Sequence, residues 1–215
     1  MKDMEEVVGS LKWIGFIALV AVVSLGAKAF ADDVDDCNGD VTELVLKGCT
    51  VIIDDSHTSK SNLEAALVSR GLAFNQKKDW DKALADLSKT VELDPKDANA
   101  FIDRGVVYEH RGDGELAIKD YTKAIALNPK GPDAHFDRGN LYYDGDDFDN
   151  SLKDYQMAIK LNPKHAAAIL GRGLTYEQLG KPDKAETDFK KAIAIADDKE
   201  VRDKATDALH SLNGE

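Results

Sequence analysis

The chain has 215 residues and a formal net charge of −12, because 40 aspartates and glutamates outnumber 28 lysines and arginines. This deficit of basic side chains argues against nucleic acid and against anionic membrane surfaces as partners, since both are bound by basic patches. The length suggests one or two domains.

The first 31 residues have the features of a secretory signal peptide. Residues 13–27 form an apolar run of 15 residues, shorter than the ~20 that a membrane-spanning helix needs. Residues 29–31, Ala-Phe-Ala, match a cleavage site. We therefore expect a periplasmic or secreted protein without stable membrane insertion after cleavage. Acidic residues near the start leave two alternatives, a true start at Met4 or an uncleaved segment that anchors the protein in the inner membrane.

Residues 32–63 are predicted to form an N-terminal cap. Asp40 is a favourable N-cap for a helix over residues 41–53. Cys37 and Cys49 are the only cysteines, and an oxidising compartment would favour a disulfide between them. Closing so short a loop gives roughly 3 kcal/mol in chain-entropy terms. Two unpaired thiols are the alternative.

A fixed period runs through the rest of the chain. An Arg-Gly pair recurs four times, and successive glycines of these pairs lie 34 residues apart. Four copies at one spacing indicate an array of stacked repeats, each too small to bury its apolar face alone. The pairs are Arg70-Gly71, Arg104-Gly105, Arg138-Gly139 and Arg172-Gly173.

Four further columns keep the same side-chain character in every copy. An aromatic residue follows the glycine by three positions, and the second half of each copy has a small, a bulky and another small residue. Small residues let two antiparallel helices approach closely, and the three- and four-residue spacings put each set on one helical face. The columns are Phe74, Tyr108, Tyr142 and Tyr176; Ala83, Ala117, Ser151 and Ala185; Leu87, Tyr121, Tyr155 and Phe189; and Thr90, Ala124, Ala158 and Ala192.

These columns resemble the tetratricopeptide repeat, a helix–turn–helix unit of the same period, and in particular its Arg-Gly form in exported bacterial proteins. The closing proline is present in three copies, and Asp197 replaces it in the fourth. The resemblance implies an all-α fold, a right-handed α-solenoid of four helix–turn–helix repeats with an N-terminal and a C-terminal capping helix. Such an array should fold as one domain. Repeats 1 to 4 are expected at residues 64–97, 98–131, 132–165 and 166–199, and the C-terminal capping helix at 200–215.

In the families that the chain resembles, the first helices of the repeats line a groove that holds a peptide or a helix. The matching positions here contain no lysine or arginine, so we do not expect the carboxylate clamp of chaperone-binding relatives. Apolar positions with acidic edges favour a protein or peptide partner with apolar anchors and some positive charge. Some of the apolar residues could instead pack between repeats. The positions are Asn99, Ile102, Val106, Glu109, Phe136, Asn140, Tyr143, Leu170, Leu174 and Glu177.

Each repeat also carries an aspartate directly before its bulky residue. A half-buried guanidinium needs an acceptor, and one carboxylate can accept two hydrogen bonds from it. We therefore predict an Arg–Asp ladder, with pairs within each repeat or across adjacent repeats. A row of arginines that binds an anionic ligand is the alternative. The predicted partners are Arg70, Arg104, Arg138 and Arg172 on one side, and Asp86, Asp120, Asp154 and Asp188 on the other.

No pattern typical of catalysis, metal binding or cofactor binding occurs in the sequence. The five histidines are scattered, and there is no glycine-rich phosphate loop or Gly-x-Ser-x-Gly motif. We predict a non-catalytic protein-binding scaffold or adaptor of the bacterial cell envelope, with no cofactor and no metal. One alternative is an enzyme or a ligand- or metal-binding protein that uses the acidic loop at residues 144–150. Another is a structural oligomerisation module.

Overall fold

The structure, a computed structural model, describes residues 42–214, and the regular secondary structure of this part is entirely α-helical. The helices are α1 (Thr42–Asp54), α2 (Lys60–Gln76), α3 (Trp80–Leu93), α4 (Ala98–Arg111), α5 (Gly114–Leu127), α6 (Asp133–Asp144), α7 (Phe148–Leu161), α8 (Ala166–Gln178), α9 (Pro182–Ile195) and α10 (Lys199–Asn213). Helices α2 to α9 form the four predicted helix–turn–helix pairs.

The helix boundaries follow from local sequence. Asp97 caps α4 by accepting a hydrogen bond from the backbone N–H of Asn99 at 2.9 Å, and Asp147 and Asp198 likewise cap α7 and α10. Gly112 ends α4 with a φ of 90°, a left-handed conformation that side chains disfavour. A proline stands two residues after the ends of α3, α5 and α7, where it prevents the helix from continuing.

The described helices fall into two compact units, α1 to α3 and α4 to α10, and not into the single domain expected from the sequence. Each unit has its own cluster of buried apolar side chains, which is why each is compact by itself. In the described part of the first unit, α1 packs against α2 and α2 against α3. Helix α1 therefore covers repeat 1, as predicted for the N-terminal capping helix. The buried apolar cluster of this first unit consists of Val45, Cys49, Ile52, Ala66 and Ala73.

In the second unit, each helix from α4 to α10 packs against the next one in the chain. Helix α8 also contacts α6 and α10, so first helices of neighbouring repeats touch one another. Helix α10 covers repeat 4 with the apolar stripe of Val201, Ala205, Leu209 and Leu212. This is the stacking of helix pairs with a C-terminal capping helix that the sequence predicted.

The repeat columns form the contact between the two helices of each repeat. The bulky side chains of the second helices are almost fully buried, and each lies against the glycine of its own repeat. A Cβ atom added at Gly105 would lie 2.6 Å from the ring of Tyr121, and one at Gly173 would lie 2.7 Å from the ring of Phe189. Close approach of the helices, and not an unusual backbone conformation, therefore requires glycine here.

Some predictions concern residues outside the described range. These are the signal peptide at residues 1–31, the N-cap at Asp40 and the disulfide from Cys37. Cys49 is completely buried in the first unit, but its pairing with Cys37 stays a prediction. Between residues 42 and 214, the helices are all too short or too polar to cross a membrane.

Candidate functional site

All ten predicted binding residues lie on α4, α6 and α8, the first helices of repeats 2 to 4. Because the three helices are related by the repeat period, residues one period apart occupy equivalent positions on them. We call the surface formed by these ten residues the groove. All of it belongs to the second compact unit.

The apolar residues of the groove differ in how much surface they leave free. Leu170 is only 7% exposed and belongs to the core, so it offers little surface to a partner. Phe136 and Leu174 pack against the same core but keep part of their surface exposed. The ring of Phe136 is tilted against that of His165, with centroids 4.7 Å apart, and burial lowers the pKa of His165. Tyr143 is also half-buried, and these half-buried side chains are the better candidates for contact.

Two buried tyrosines from the second helices fix polar side chains of the groove. The Tyr121 hydroxyl donates a hydrogen bond to Glu109 Oε2 at 2.8 Å, and the Tyr155 hydroxyl donates one to Asn140 Oδ1 at 2.7 Å. Burial raises the pKa of both tyrosines, so both phenols stay protonated as donors. The bulky column therefore orients Glu109 and Asn140 in addition to filling the core.

Two further carboxylates, Asp103 and Asp137, lie beside the groove and were not singled out from the sequence. Burial, with the negative charge of Asp97, raises the pKa of Asp103 to about 6. Burial, with the charges of Glu109 and Asp133, raises the pKa of Asp137 to about 7. Within residues 42–214, neither carboxylate has an ion-pair partner. Both carboxylates are therefore partly removed from water, and the described residues place no compensating cation beside them.

The position of Asp137 in the repeat explains its burial. The equivalent residue of repeat 4 is Gly171, where an added Cβ would lie 2.6 Å from the ring of Tyr155 in the preceding repeat. By the same register, Asp137 faces Tyr121, and its negative charge contributes to the raised pKa of that tyrosine. The signal available in the sequence was the aspartate one position before the arginine in two successive repeats.

The structure pairs the four arginines with the four aspartates of the predicted ladder, each within its own repeat. In every repeat Nε and Nη2 of the arginine donate to the two carboxylate oxygens at 2.7–2.9 Å. Hydrogen bonding to the aspartate raises the pKa of each arginine against the effect of burial. The pairs connect the first helix of each repeat to its second helix, while the aspartates stay buried.

The pair in repeat 3 has a third member. His135, a buried residue, places Nδ1 3.0 Å from Asp154 Oδ1, and Arg138 bonds to the same carboxylate. Burial would raise the pKa of Asp154, but the hydrogen bonds from Arg138 and His135 outweigh it and lower this pKa. His135 therefore has a packing position and a polar partner inside the repeat.

The acidic loop at residues 144–150 is a tight connection between α6 and α7. Asp147 accepts hydrogen bonds from the backbone N–H of Asn150 at 3.2 Å and from its side-chain amide at 2.7 Å. Its carboxylate is thus used as a helix cap. In the part of the chain that the structure describes, no three His, Cys, Asp or Glu side chains are grouped so that they could hold a metal ion.

The sequence profile of the tetratricopeptide repeat family matches residues 70–138 and 139–210, which is most of the chain. The chain belongs to the tetratricopeptide repeat family. The profile covers all four Arg-Gly pairs and the groove helices of this tetratricopeptide repeat protein. No curated protein sequence matches the chain.

Solved structures of other tetratricopeptide repeat proteins are similar to this fold. A crystal structure of MamA has 24% identity and a TM-score of 0.65, and the match covers 80% of this chain and 95% of MamA. PilF of Pseudomonas aeruginosa has 23% identity and a TM-score of 0.63, covering 72% of this chain and 71% of PilF. The first repeat domain of Spaghetti (RPAP3), bound to the HSP90 peptide SRMEEVD, has 24% identity and a TM-score of 0.51, covering 54% and 90%. At these identities the similarity establishes the fold.

Proposed function

We propose that this tetratricopeptide repeat protein is a non-catalytic protein-binding scaffold, and that its groove holds a partner polypeptide with apolar anchors and positive charges. One observation carries the proposal. Half-buried apolar side chains occur on α4, α6 and α8, and two of these helices, α4 and α6, also carry a carboxylate without a cationic partner in the described residues. They are Ile102, Val106, Phe136, Tyr143 and Leu174 among the apolar residues, and Asp103 and Asp137 among the carboxylates.

The raised pKa values of Asp103 and Asp137 favour a partner with positive charge. A lysine or arginine of the partner placed against either carboxylate would supply a cation that residues 42–214 do not provide there. Glu109, held by Tyr121, lies close enough to Asp137 for its charge to raise the pKa of that group. One basic side chain placed near Glu109 and Asp137 would give Asp137 a cationic partner and would offset the repulsion between the two carboxylates. The exposed apolar surfaces of Phe136 and Tyr143 would take the anchors of the same partner.

The RPAP3 repeat domain offers a contrast. Its bound peptide, SRMEEVD, carries three acidic residues and one basic residue. The ten residues of the groove of this chain include Glu109 and Glu177 but no lysine or arginine. This difference favours a partner of the opposite charge, since like charges in an interface oppose binding.

The cell envelope is the setting that we infer for this scaffold. The inference depends on the apolar run at residues 13–27 and on the small residues at positions 29–31. In the periplasm the cap would carry the predicted disulfide between Cys37 and Cys49. An uncleaved N-terminal segment, as the alternative, would hold the scaffold at the inner membrane.

Selection from a displayed library of random peptides tests the proposal. Bound peptides should combine lysine or arginine with large apolar residues, and their affinity is then measured by fluorescence anisotropy. The double variant Asp103→Asn with Asp137→Asn should weaken binding about tenfold, as should Phe136→Ala with Tyr143→Ala. Asp207→Asn, an exposed change on α10, is the control.

Acidic or neutral peptides among those selected would contradict the proposed charge of the partner. Unchanged affinity in both folded double variants would move the binding site away from the groove. Circular dichroism of each variant separates loss of binding from loss of fold.

A further inference from the structure

Repeat 4 contains a small cavity outside the groove. It measures about 220 Å³ and is lined by Arg172, Tyr176, Lys184, Thr187 and Asp188. Asp188 is the acidic side chain of this lining, and it already accepts two hydrogen bonds from Arg172 at 2.7 Å. The lining therefore keeps one uncompensated positive charge, on Lys184, in a protein whose net charge is −12. A cavity of this size suits a small group and not a drug-sized ligand.

Repeat 1 builds the corresponding corner from nearly the same residue types. Arg70 and Lys82 lie over the ring of Phe74, with the guanidinium carbon 5.9 Å and Nζ 5.2 Å from its centroid. In repeat 4 the distances to the Tyr176 ring are 5.9 Å for Arg172 and 5.4 Å for Lys184. Each of these two repeats thus brings two cations to one aromatic ring.

The two corners differ in what accepts hydrogen bonds from the lysine. In repeat 1, Lys82 Nζ donates to Asp79 Oδ2 at 2.6 Å. The equivalent residue of repeat 4 is Lys181, a cation in place of the acid that repeats 1 to 3 all carry at this position. Between residues 42 and 214, Lys184 has no ion-pair partner.

The arginines of repeats 1, 3 and 4 also differ in whether Nη1 has a hydrogen-bond acceptor. Nη1 of Arg138 in repeat 3 donates to Thr122 Oγ1 at 2.8 Å, and Nη1 of Arg70 donates to Thr50 Oγ1 at 3.1 Å. Both threonines belong to the preceding helix. The position equivalent to Thr122 before repeat 4 is Gln156, and Nη1 of Arg172 has no hydrogen-bond partner within the described residues.

From these replacements we propose that the repeat 4 cavity binds a phosphate group, whose oxygens take the place of the acceptors that Thr50 and Asp79 provide in repeat 1. The Nε–Nη2 edge of Arg172 is occupied by Asp188, so a planar carboxylate would not find the two parallel donors that it prefers. The donors of this lining that have no hydrogen-bond partner among residues 42–214 are single groups, Nη1 of Arg172, the Lys184 ammonium and the Tyr176 hydroxyl. Single donors from several directions match a tetrahedral dianion.

Titration of the full chain with inorganic phosphate, at constant ionic strength set with sodium chloride, tests the site. We expect saturable binding by calorimetry. Lys181→Asp restores the acid of the other repeats and should weaken phosphate binding at least tenfold, because the new carboxylate would engage Lys184. Lys184→Gln should weaken it similarly. Lys82→Gln, the matched change in repeat 1, should leave the affinity within twofold of the parent.

Phenyl phosphate and acetate complete the experiment. Tighter binding of phenyl phosphate than of inorganic phosphate would identify a phosphate monoester as the source, and equal binding would identify free phosphate; both results support the site. Acetate binding as tight as phosphate, full phosphate affinity in Lys181→Asp, or no saturable binding would overturn it. Because Asp stands at this position in three other repeats, that variant is expected to fold, which circular dichroism checks.

Discussion

The four almost fully buried aspartates of the described residues are each paired with an arginine. Each of these aspartates, Asp86, Asp120, Asp154 and Asp188, accepts two hydrogen bonds from the arginine of its own repeat. Removing one partner of a buried ion pair leaves a charge without compensation, whereas replacing both by apolar residues is much less harmful. The stability of each repeat should therefore depend on the pair as a unit.

The pair of Arg104 and Asp120 provides the first prediction. Asp120→Asn should lower the free energy of unfolding by about 3 kcal/mol, because it leaves the guanidinium without its carboxylate. Arg104→Leu in the same chain should recover much of the loss, since leucine suits a packed position beside the glycine. Urea unfolding of the two variants measures both effects.

An exposed ion pair is the control for this prediction. Glu186→Gln removes the partner of Lys190 at the surface and should change stability by less than about 1 kcal/mol. Equal urea midpoints for the parent and Asp120→Asn would show that the buried pair contributes nothing to stability.

Asp137 provides the second prediction, a pH dependence. Its pKa rises from 3.8 in the unfolded chain to about 7 in the fold, so the folded state binds more protons between these values. The free energy of unfolding should therefore fall as pH rises from about 4 to about 7, and Asp137→Asn should remove this loss. Because solvent screens this partly exposed carboxylate, we expect the loss in the free energy of unfolding at about pH 8 to be about 1–3 kcal/mol.

Urea unfolding at several pH values compares the parent with this variant. Asp207→Asn, exposed on α10, is the control and should show the same pH dependence as the parent. If the difference between Asp137→Asn and the parent is the same at all pH values, the carboxyl group does not titrate in this window. The same proton release predicts that a cationic partner binds the groove more tightly as pH rises through about 7.

At the scale of helices, the distance between the two helices of a repeat is set by one glycine. The ring of Tyr121 occupies the space where a side chain at Gly105 would stand. Gly105→Ala should lower the free energy of unfolding by about 1–3 kcal/mol, although alanine favours the helix by about 1 kcal/mol. Thermal unfolding followed by circular dichroism measures the change.

Gly114 is the matched control on a neighbouring helix. It lies in the first turn of α5, and an added Cβ would come no closer than 4.0 Å to Leu141. Gly114→Ala should therefore be neutral or slightly stabilising. A loss as large as that of Gly105→Ala would show that helix packing is not the reason for the glycine column.

The ends of the helices differ by a few residues from those predicted from the sequence. The capping helix predicted at residues 41–53 is Thr42–Asp54 in the structure. The first helix of repeat 1 starts at Lys60 and not near residue 64, because Ser59 accepts a hydrogen bond from the backbone N–H of Asn62 at 3.2 Å. The period fixes the centre of each helix, but a single capping side chain decides where it begins.

For the whole molecule, export and the disulfide are the remaining prediction. Intact mass measurement of protein purified from the cell envelope should give a chain that starts at Asp32, with Cys37 and Cys49 linked. Thiol labelling of the unfolded, unreduced protein should then find no free cysteine. A mass that includes residue 1 would indicate an anchor, and two labelled thiols would show that the cap folds without the bond.

The sequence by itself determined the all-α repeat fold, the helix pairs and the columns that pair arginine with aspartate, because these depend on spacing along the chain. Only the tertiary structure decided which groups lose contact with water. It buried Leu170 in the core, placed Asp137 beside Glu109 without a cation in the described residues, and put each Arg–Asp pair inside one repeat. Periodicity identifies the residues that share a face, but desolvation of a carboxylate depends on side chains from several helices packed around it.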